Sequence, residues 1–138
     1  MSDRVQQALD NHKKKYNCCQ AVACAFCKDV GVDETIMFKA GEGFGLGMGG
    51  MECTCGAISG AVMVAGFKNS SGALDNPVTK AETYRLSSAI IDKFQEKNGT
   101  TICKVLKGIE TGSVLRSCDG CIEDAAKIAE EVLALQAN

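Results

Sequence analysis

The sequence predicts an all-α fold: a single-domain helical bundle of about five to seven helices with one Gly-rich loop. Three observations carry this. Apolar residues recur at helical spacing in the two longest candidate segments, as Leu86, Ile90, Ile91 and Phe94 in one and Ile122, Ala125, Ala126, Ala129, Val132 and Leu133 in the other. No segment alternates apolar and polar residues with the period of two that a half-buried strand needs. Glycines, asparagines and the one proline fall between the segments, where helices stop and start.

Each element has its local reason. Asp3 can cap a first helix running to about Lys15. Asn17 precedes a second segment, Cys18 to Val30, with Gly31 placed to end it as a C′ glycine. Asp33 followed by Glu34 starts a short helix that dies in the glycines from Gly41 onward. Residues 41–50 hold six glycines and read as a loop. The next helix runs from about Cys53 to Phe67. It is apolar on nearly every side, so it is expected to be the buried central helix. Gly56 and Gly60 share one of its faces and would let another helix come close. After the polar stretch 69–76, Pro77 suits the first helical position with Asn76 as cap, and the helix runs to about Lys97 before Asn98-Gly99. Thr100 or Thr101 caps a short helix carrying Cys103, and Ser117 caps the last helix, Cys118 to about Gln136. On that helix Glu123, Asp124, Lys127, Glu130 and Glu131 lie off the apolar stripe.

Bulk composition narrows the function. A chain of 138 residues fits one domain, 1–138, with a core of its own. The net charge is −2, and Lys13-Lys14-Lys15 is a short run best read as a solvated helix end, so nucleic acid is not an expected partner. The polar first 15 residues lack the apolar region of a signal peptide, and the longest apolar stretch, Ala57 to Phe67, is too short to cross a bilayer. The expected location is cytoplasmic, with no membrane partner.

The nine cysteines are the chemical signal: Cys18, Cys19, Cys24, Cys27, Cys53, Cys55, Cys103, Cys118 and Cys121. In a reducing compartment such a set serves metal binding or redox chemistry rather than structural disulfides. Cys18, Cys55, Cys103 and Cys118 each fall in the first turn of a predicted helix. Orphan amides and the positive end of the helix dipole lie there and favour a thiolate. If those helix starts converge, they build a site for several negative sulfurs. Cys24 and Cys27 read as small buried core residues, as does Cys19. Cys118-Asp-Gly-Cys121 resembles a C-x-x-C of the redox or metal kind, so Cys121 is a candidate beside Cys118.

The loop contains G-x-G-x-x-G from Gly45 to Gly50 and enters a helix, but no strand precedes it, and the dinucleotide reading fails. Its glycines either let the backbone pass close to another element or offer amides to an anion beside Cys55. Gly45, Gly47 and Gly49 are therefore cofactor-binding candidates. Met48 and Met51 are expected to pack. His12, the only histidine, lies in a Lys-rich stretch and reads as a surface residue. No Ser/His/Asp or Cys/His arrangement can be assembled, and no C-x-x-C is followed by His, which argues against c-type haem.

These residues together resemble a family. Tyr16-Asn-Cys-Cys-Gln-Ala-Val22 is similar to its opening, Gly43-Phe-Gly-Leu-Gly-Met-Gly49 to its glycine loop, and Thr54-Cys-Gly-Ala-Ile-Ser-Gly-Ala61 to its signature. Phe94 to Cys103, and Cys118 ahead of Asp124-Ala-Ala126, resemble its last two cysteine stretches, with Asn98-Gly99 in place of Phe-Gly. The family is C_GCAxxG_C_C, a group of redox-active proteins. The resemblance implies an α-helical domain found mostly in anaerobes, sometimes fused to redox partners including a multihaem cytochrome. It also implies four recurrent cysteines, which map onto Cys18, Cys55, Cys103 and Cys118, with Cys121 near the last position.

The leading expectation is electron transfer through an iron–sulfur cluster held by four thiolates at helix N-termini. Thiol–disulfide redox without a metal, through a pair such as Cys55 and Cys103, is the first alternative. A structural zinc module on four sulfurs is the second. A redox partner protein follows from the first two. The apolar helix and its glycine face suit a homodimer interface or a core equally well. No acid–base pair points to a catalysed organic reaction.

Overall fold

A computed structural model describes residues 1–135. The chain is all-α, and among the described residues no strand forms; a single antiparallel bridge pairs Thr54 with Ile102. Helix α1, Asp3–Lys13, is capped by Ser2, whose hydroxyl accepts from the Val5 amide. Asp3 is thus not the cap but a first-turn acid, where the dipole favours it. Helix α2, Cys18–Cys24, opens with a capping box: Asn17 accepts from the Gln20 amide, and the Gln20 side chain accepts from the Asn17 amide.

The expected continuous segment to Val30 is broken at Ala25 and Phe26. Their amides bond three residues back, to Val22 and Ala23, and α3 restarts at Cys27–Val30. The tightened turn sends the Phe26 ring fully into the core. Gly31 ends α3 at φ +69°, as the sequence indicates. Helix α4, Glu34–Gly41, starts at Asp33, which accepts from the Ile36 amide.

The glycine loop is not shapeless. A 3-10 turn, Glu42–Phe44, leads into residues 45–48, where Leu46 and Gly47 take left-handed angles. Helix α5, Gly56–Asn69, begins three residues later than Cys53, because residues 53–55 are drawn out alongside the 101–103 segment. Helix α6 is Lys80–Asn98. It does not start at Pro77: the polar segment before it folds on itself, with Asn76 donating to the Ala73 carbonyl and Ser71 to the Thr79 hydroxyl. Helix α7, Cys103–Lys107, has Ile102 as its cap, while Thr100 only closes a local turn onto the Ile102 amide. Helix α8, Cys118–Val132, is capped by Ser117, which accepts from the Gly120 amide. The expected end at Gln136 lies outside the described residues.

Helix α5 is the centre, packed against α2, α6 and α8. It buries Ala57, Ile58, Ala61, Val64 and Ala65 together with Val22, Phe26, Ile90, Phe94, Ile122 and Ala125. Close approach to α2 depends on Gly60: a Cβ there would sit 2.6 Å from the Cys19 carbonyl oxygen and 3.1 Å from the Val22 Cβ. Backbone cannot yield as a side chain does. Gly60→Ala is expected to cost roughly 1–3 kcal/mol, read as a lower urea midpoint with an unchanged slope. An unchanged midpoint would show that the two helices separate freely.

Two residues predicted on the polar side of α8 are in fact buried. Asp124, 1% exposed, accepts from Arg116, Lys97 and Asn98. Glu130 accepts from Arg4 and Ser2, while Arg4 also binds Asp29. Helical periodicity misplaces them because long partners from α1, α6 and the 108–117 segment fold over that face and satisfy the charge. No helix among the described residues is long and apolar enough to cross a membrane.

Candidate cysteine site

Four helix starts meet at one end of α5. Cys18 is the first residue of α2, Cys103 of α7 and Cys118 of α8, and Cys55 is the cap residue of α5. Cys121 lies one turn into α8. All five line one cavity of about 200 Å³, together with His12, Leu46, Lys107 and Arg116.

The backbone brings these distant segments into register. The Cys55 amide donates to the Thr101 carbonyl at 2.8 Å, Cys103 to Cys53 at 2.9 Å, and Lys104 to Met51 at 2.9 Å. These bonds stitch the start of α5 to the start of α7. The glycine loop passes behind them. A Cβ on Gly47 would lie 2.5 Å from the Cys103 Cβ, and one on Gly45 would strike the Asn17 side chain at 2.4 Å. Gly45 and Gly47 are buried and act through this closeness, while Gly49 is exposed with φ +85°. Leu46 is the loop residue that reaches the cavity wall. Met48, expected to pack, is 53% exposed, because its left-handed backbone turns it outward.

Two pairs of these thiols shift each other's pKa: Cys18 with Cys118, and Cys55 with Cys121. Within each pair one sulfur is set up to carry the charge and the other to hold the proton. The neighbouring Cys18 thiol pulls Cys118 from 9.0 down to about 5; burial opposes this, and the Lys107 ammonium assists it. Cys18 is pushed up by Cys118 and by burial. Cys55 is lowered by Cys121 against the cost of burial, helped by the Ala57 and Ile58 amides at the start of α5, which act on it without closing a formal cap bond. Cys121 is raised by Cys55, and its sulfur reaches the Arg116 carbonyl at 4.0 Å. Cys103, raised by burial and by Cys55, stands alone between the pairs.

Lys107 is the cation beside Cys118: its own pKa rises, mainly through the Cys118 charge. Sequence reasoning missed it, although it lies four residues after Cys103 and so on the same helix face. It also missed His12, which is not a free surface residue. Its Nδ1 lies 2.7 Å from the Asp119 carboxylate, and the ring helps line the cavity. Nothing local in the sequence links α1 to α8, so that contact was out of reach.

The other cysteines stand apart. Cys19 is fully buried, with its sulfur 3.5 Å from that of Met63, and burial pushes its pKa up to about 12. Cys53 is exposed. Cys24 and Cys27 lie at the break between α2 and α3. Among the described residues, no three His, Cys, Asp or Glu side chains group closely enough to hold one metal ion.

Residues 16–132 match the family model described as "Putative redox-active protein (C_GCAxxG_C_C)". The chain belongs to the C_GCAxxG_C_C family. That span takes in the whole cavity apart from His12. No curated protein and no solved structure matches the chain.

Proposed function

We propose that this C_GCAxxG_C_C protein transfers electrons through an iron–sulfur cluster held in the five-cysteine cavity. The observation that carries the reading is the convergence of Cys18, Cys55, Cys103, Cys118 and Cys121, from four helix starts, on one cavity. A two-iron cluster takes two thiolates on each iron. Cys18, Cys55, Cys118 and Cys121 would hold such a cluster. The donor set fits in charge as well as number. Amides at four helix starts and the Lys107 ammonium surround sulfurs that are negative when they ligate. Such a cluster, when bound, supplies one-electron chemistry. The chain's own part is to hold four sulfurs deprotonated, to offset their charge through Lys107, and to cover them with Leu46 and Leu106. The electrons would pass to and from a redox partner protein.

A second reading draws on the same pairs. Without metal, Cys118 as thiolate and Cys18 as its proton donor are arranged for thiol–disulfide exchange.

Anaerobic reconstitution with ferrous iron and sulfide separates the two. The cluster reading expects a brown protein with about two iron and two sulfide per chain. Alanine at Cys18, Cys55, Cys118 or Cys121 should abolish this, and Cys103→Ala should spare it. A colourless product without iron, or loading that survives all four substitutions, overturns it. A colourless protein that reversibly loses two thiols on mild oxidation selects the second reading, and one carrying stoichiometric zinc selects a structural metal.

A further inference from the structure

The break between α2 and α3 falls inside Cys24-Ala-Phe-Cys27. In a regular α-helix, residues three apart hold their Cβ atoms about 5–6 Å from each other, too far for a disulfide, which needs about 3.5–4.5 Å. Here the Ala25 and Phe26 amides bond three residues back at 3.2 and 3.1 Å. These bonds tighten the turn before Phe26, and a new helix starts at Cys27, so Cys24 and Cys27 are not held at regular helical spacing. The Cys24 thiol reaches the Glu34 carbonyl at 3.9 Å, and Cys24 and Cys27 shift each other's pKa. They line a second cavity, of about 360 Å³, that shares no lining residue with the first, with Arg4, Asn11, Lys28 and Glu34. Cys27 is partly open to solvent and Cys24 is 7% exposed.

We propose that Cys24 and Cys27 form a second redox-active dithiol, which exchanges with low-molecular-weight disulfides and closes as an intramolecular disulfide. The inference does not rest on the reading of the five-cysteine cavity. Cys27 is the more accessible sulfur, and the neighbouring Cys24 thiol favours its thiolate. Burial and the Glu34 charge act the other way, so the exchange is slow and the closed disulfide, once formed, resists reduction.

In the first step the Cys27 thiolate attacks one sulfur of the small disulfide. That S–S bond breaks, one small thiolate leaves, and Cys27 is held as a mixed disulfide. In the second step Cys24, deprotonated, attacks the Cys27 sulfur. The mixed bond breaks, the second small thiolate leaves, and the Cys24–Cys27 bond forms. Two protein thiols are oxidised, one small disulfide is reduced to two small thiols, and the two protons pass to those thiols.

The test uses the metal-free wild-type chain in anaerobic buffers of increasing glutathione disulfide to glutathione ratio. Samples are quenched in acid, alkylated, reduced, alkylated with a second mass label and sequenced by fragmentation. The expected result is joint loss of the first label at Cys24 and Cys27 with one shared midpoint. In Cys24→Ser, Cys27 should accumulate as a glutathione adduct that does not resolve. The proposal is overturned if either thiol keeps the first label in excess glutathione disulfide, if the two titrate separately, or if either pairs with another cysteine. The wild-type measurement decides by itself should the variant fold poorly. Iron loading of the first cavity plays no part in the readout.

Discussion

At pH 5 and without metal, Cys118 should react with a dipyridyl disulfide far ahead of an ordinary thiol. Its pKa of about 5, against 9.0 for an ordinary thiol, leaves it about half ionised, where an unperturbed one is about one part in ten thousand thiolate. Nucleophilicity falls with pKa at a Brønsted slope of about 0.4–0.5, which returns a factor of roughly 60 over four units. The net advantage is therefore about eightyfold at pH 5 and shrinks to almost nothing by pH 7. The experiment has to be done in acid.

The sign follows from the direction of the shift. The Cys118 rate should climb as pH rises through about 5 and then level off, whereas an unperturbed thiol would still be climbing through 9. Lys107→Met removes the ammonium that faces Cys118 and should move the climb to higher pH. Peptide mapping that finds the first label elsewhere, or a Cys118 rate still rising above pH 8, would show that the Cys18–Cys118 pair does not hold the charge as described.

The second large effect concerns Asp124. Its carboxylate, with no side-chain exposure, accepts from Arg116 at 3.0 and 3.1 Å, from Lys97 at 2.5 Å and from Asn98 at 3.2 Å. Arg116 borders the five-cysteine cavity, and its carbonyl receives the Cys121 thiol, so this carboxylate anchors one wall of the site. Removing one partner of a buried pair typically costs about 3–5 kcal/mol. Here Arg116 and Lys97 are 33% and 54% exposed and can turn to water. Asp124→Ala is thus expected nearer the lower end, at about 2–4 kcal/mol in urea unfolding.

Acid should weaken the same contact. Burial pushes Asp124 up, but the bonds from Arg116, Lys97 and Asn98 together outweigh it, and its pKa lies below 3.8. A carboxyl lowered on folding contributes stability above its unfolded value and loses it as pH falls through the folded one. The wild-type chain should therefore lose stability progressively below about pH 4.5. Asp124→Asn, lacking that titration, should show a shallower decline. Equal slopes for the two chains would mean that other carboxylates set the acid limit.

Much of the fold was legible because its causes are local. Ser117, Asp33 and Asn17 cap the helices they precede, Gly31 and Gly99 end theirs in the left-handed region, and the stripes Ile90–Phe94 and Ile122–Ala129 face the core. Local reasoning failed where a distant partner overrode it. Cys53 leaves the helix because the 101–103 segment claims its carbonyl. The segment from Cys18 breaks inside Cys24–Cys27 where Phe26 enters the core. Asp124 is buried because Arg116 and Lys97 cover it.

The site divides in the same way. The sequence by itself determined that cysteines stand at helix starts, since capping residues and glycines announce those starts one element at a time. It determined the family too, through motifs spread over most of the chain. Only the tertiary structure decided that the starts converge on one cavity and that Cys118 and Cys121 both line it. The physical reason is that convergence is a property of helix packing, set by close approaches such as Gly60 on the Cys19 carbonyl and Gly47 on Cys103. Those contacts join residues tens of positions apart, and no local spacing encodes them.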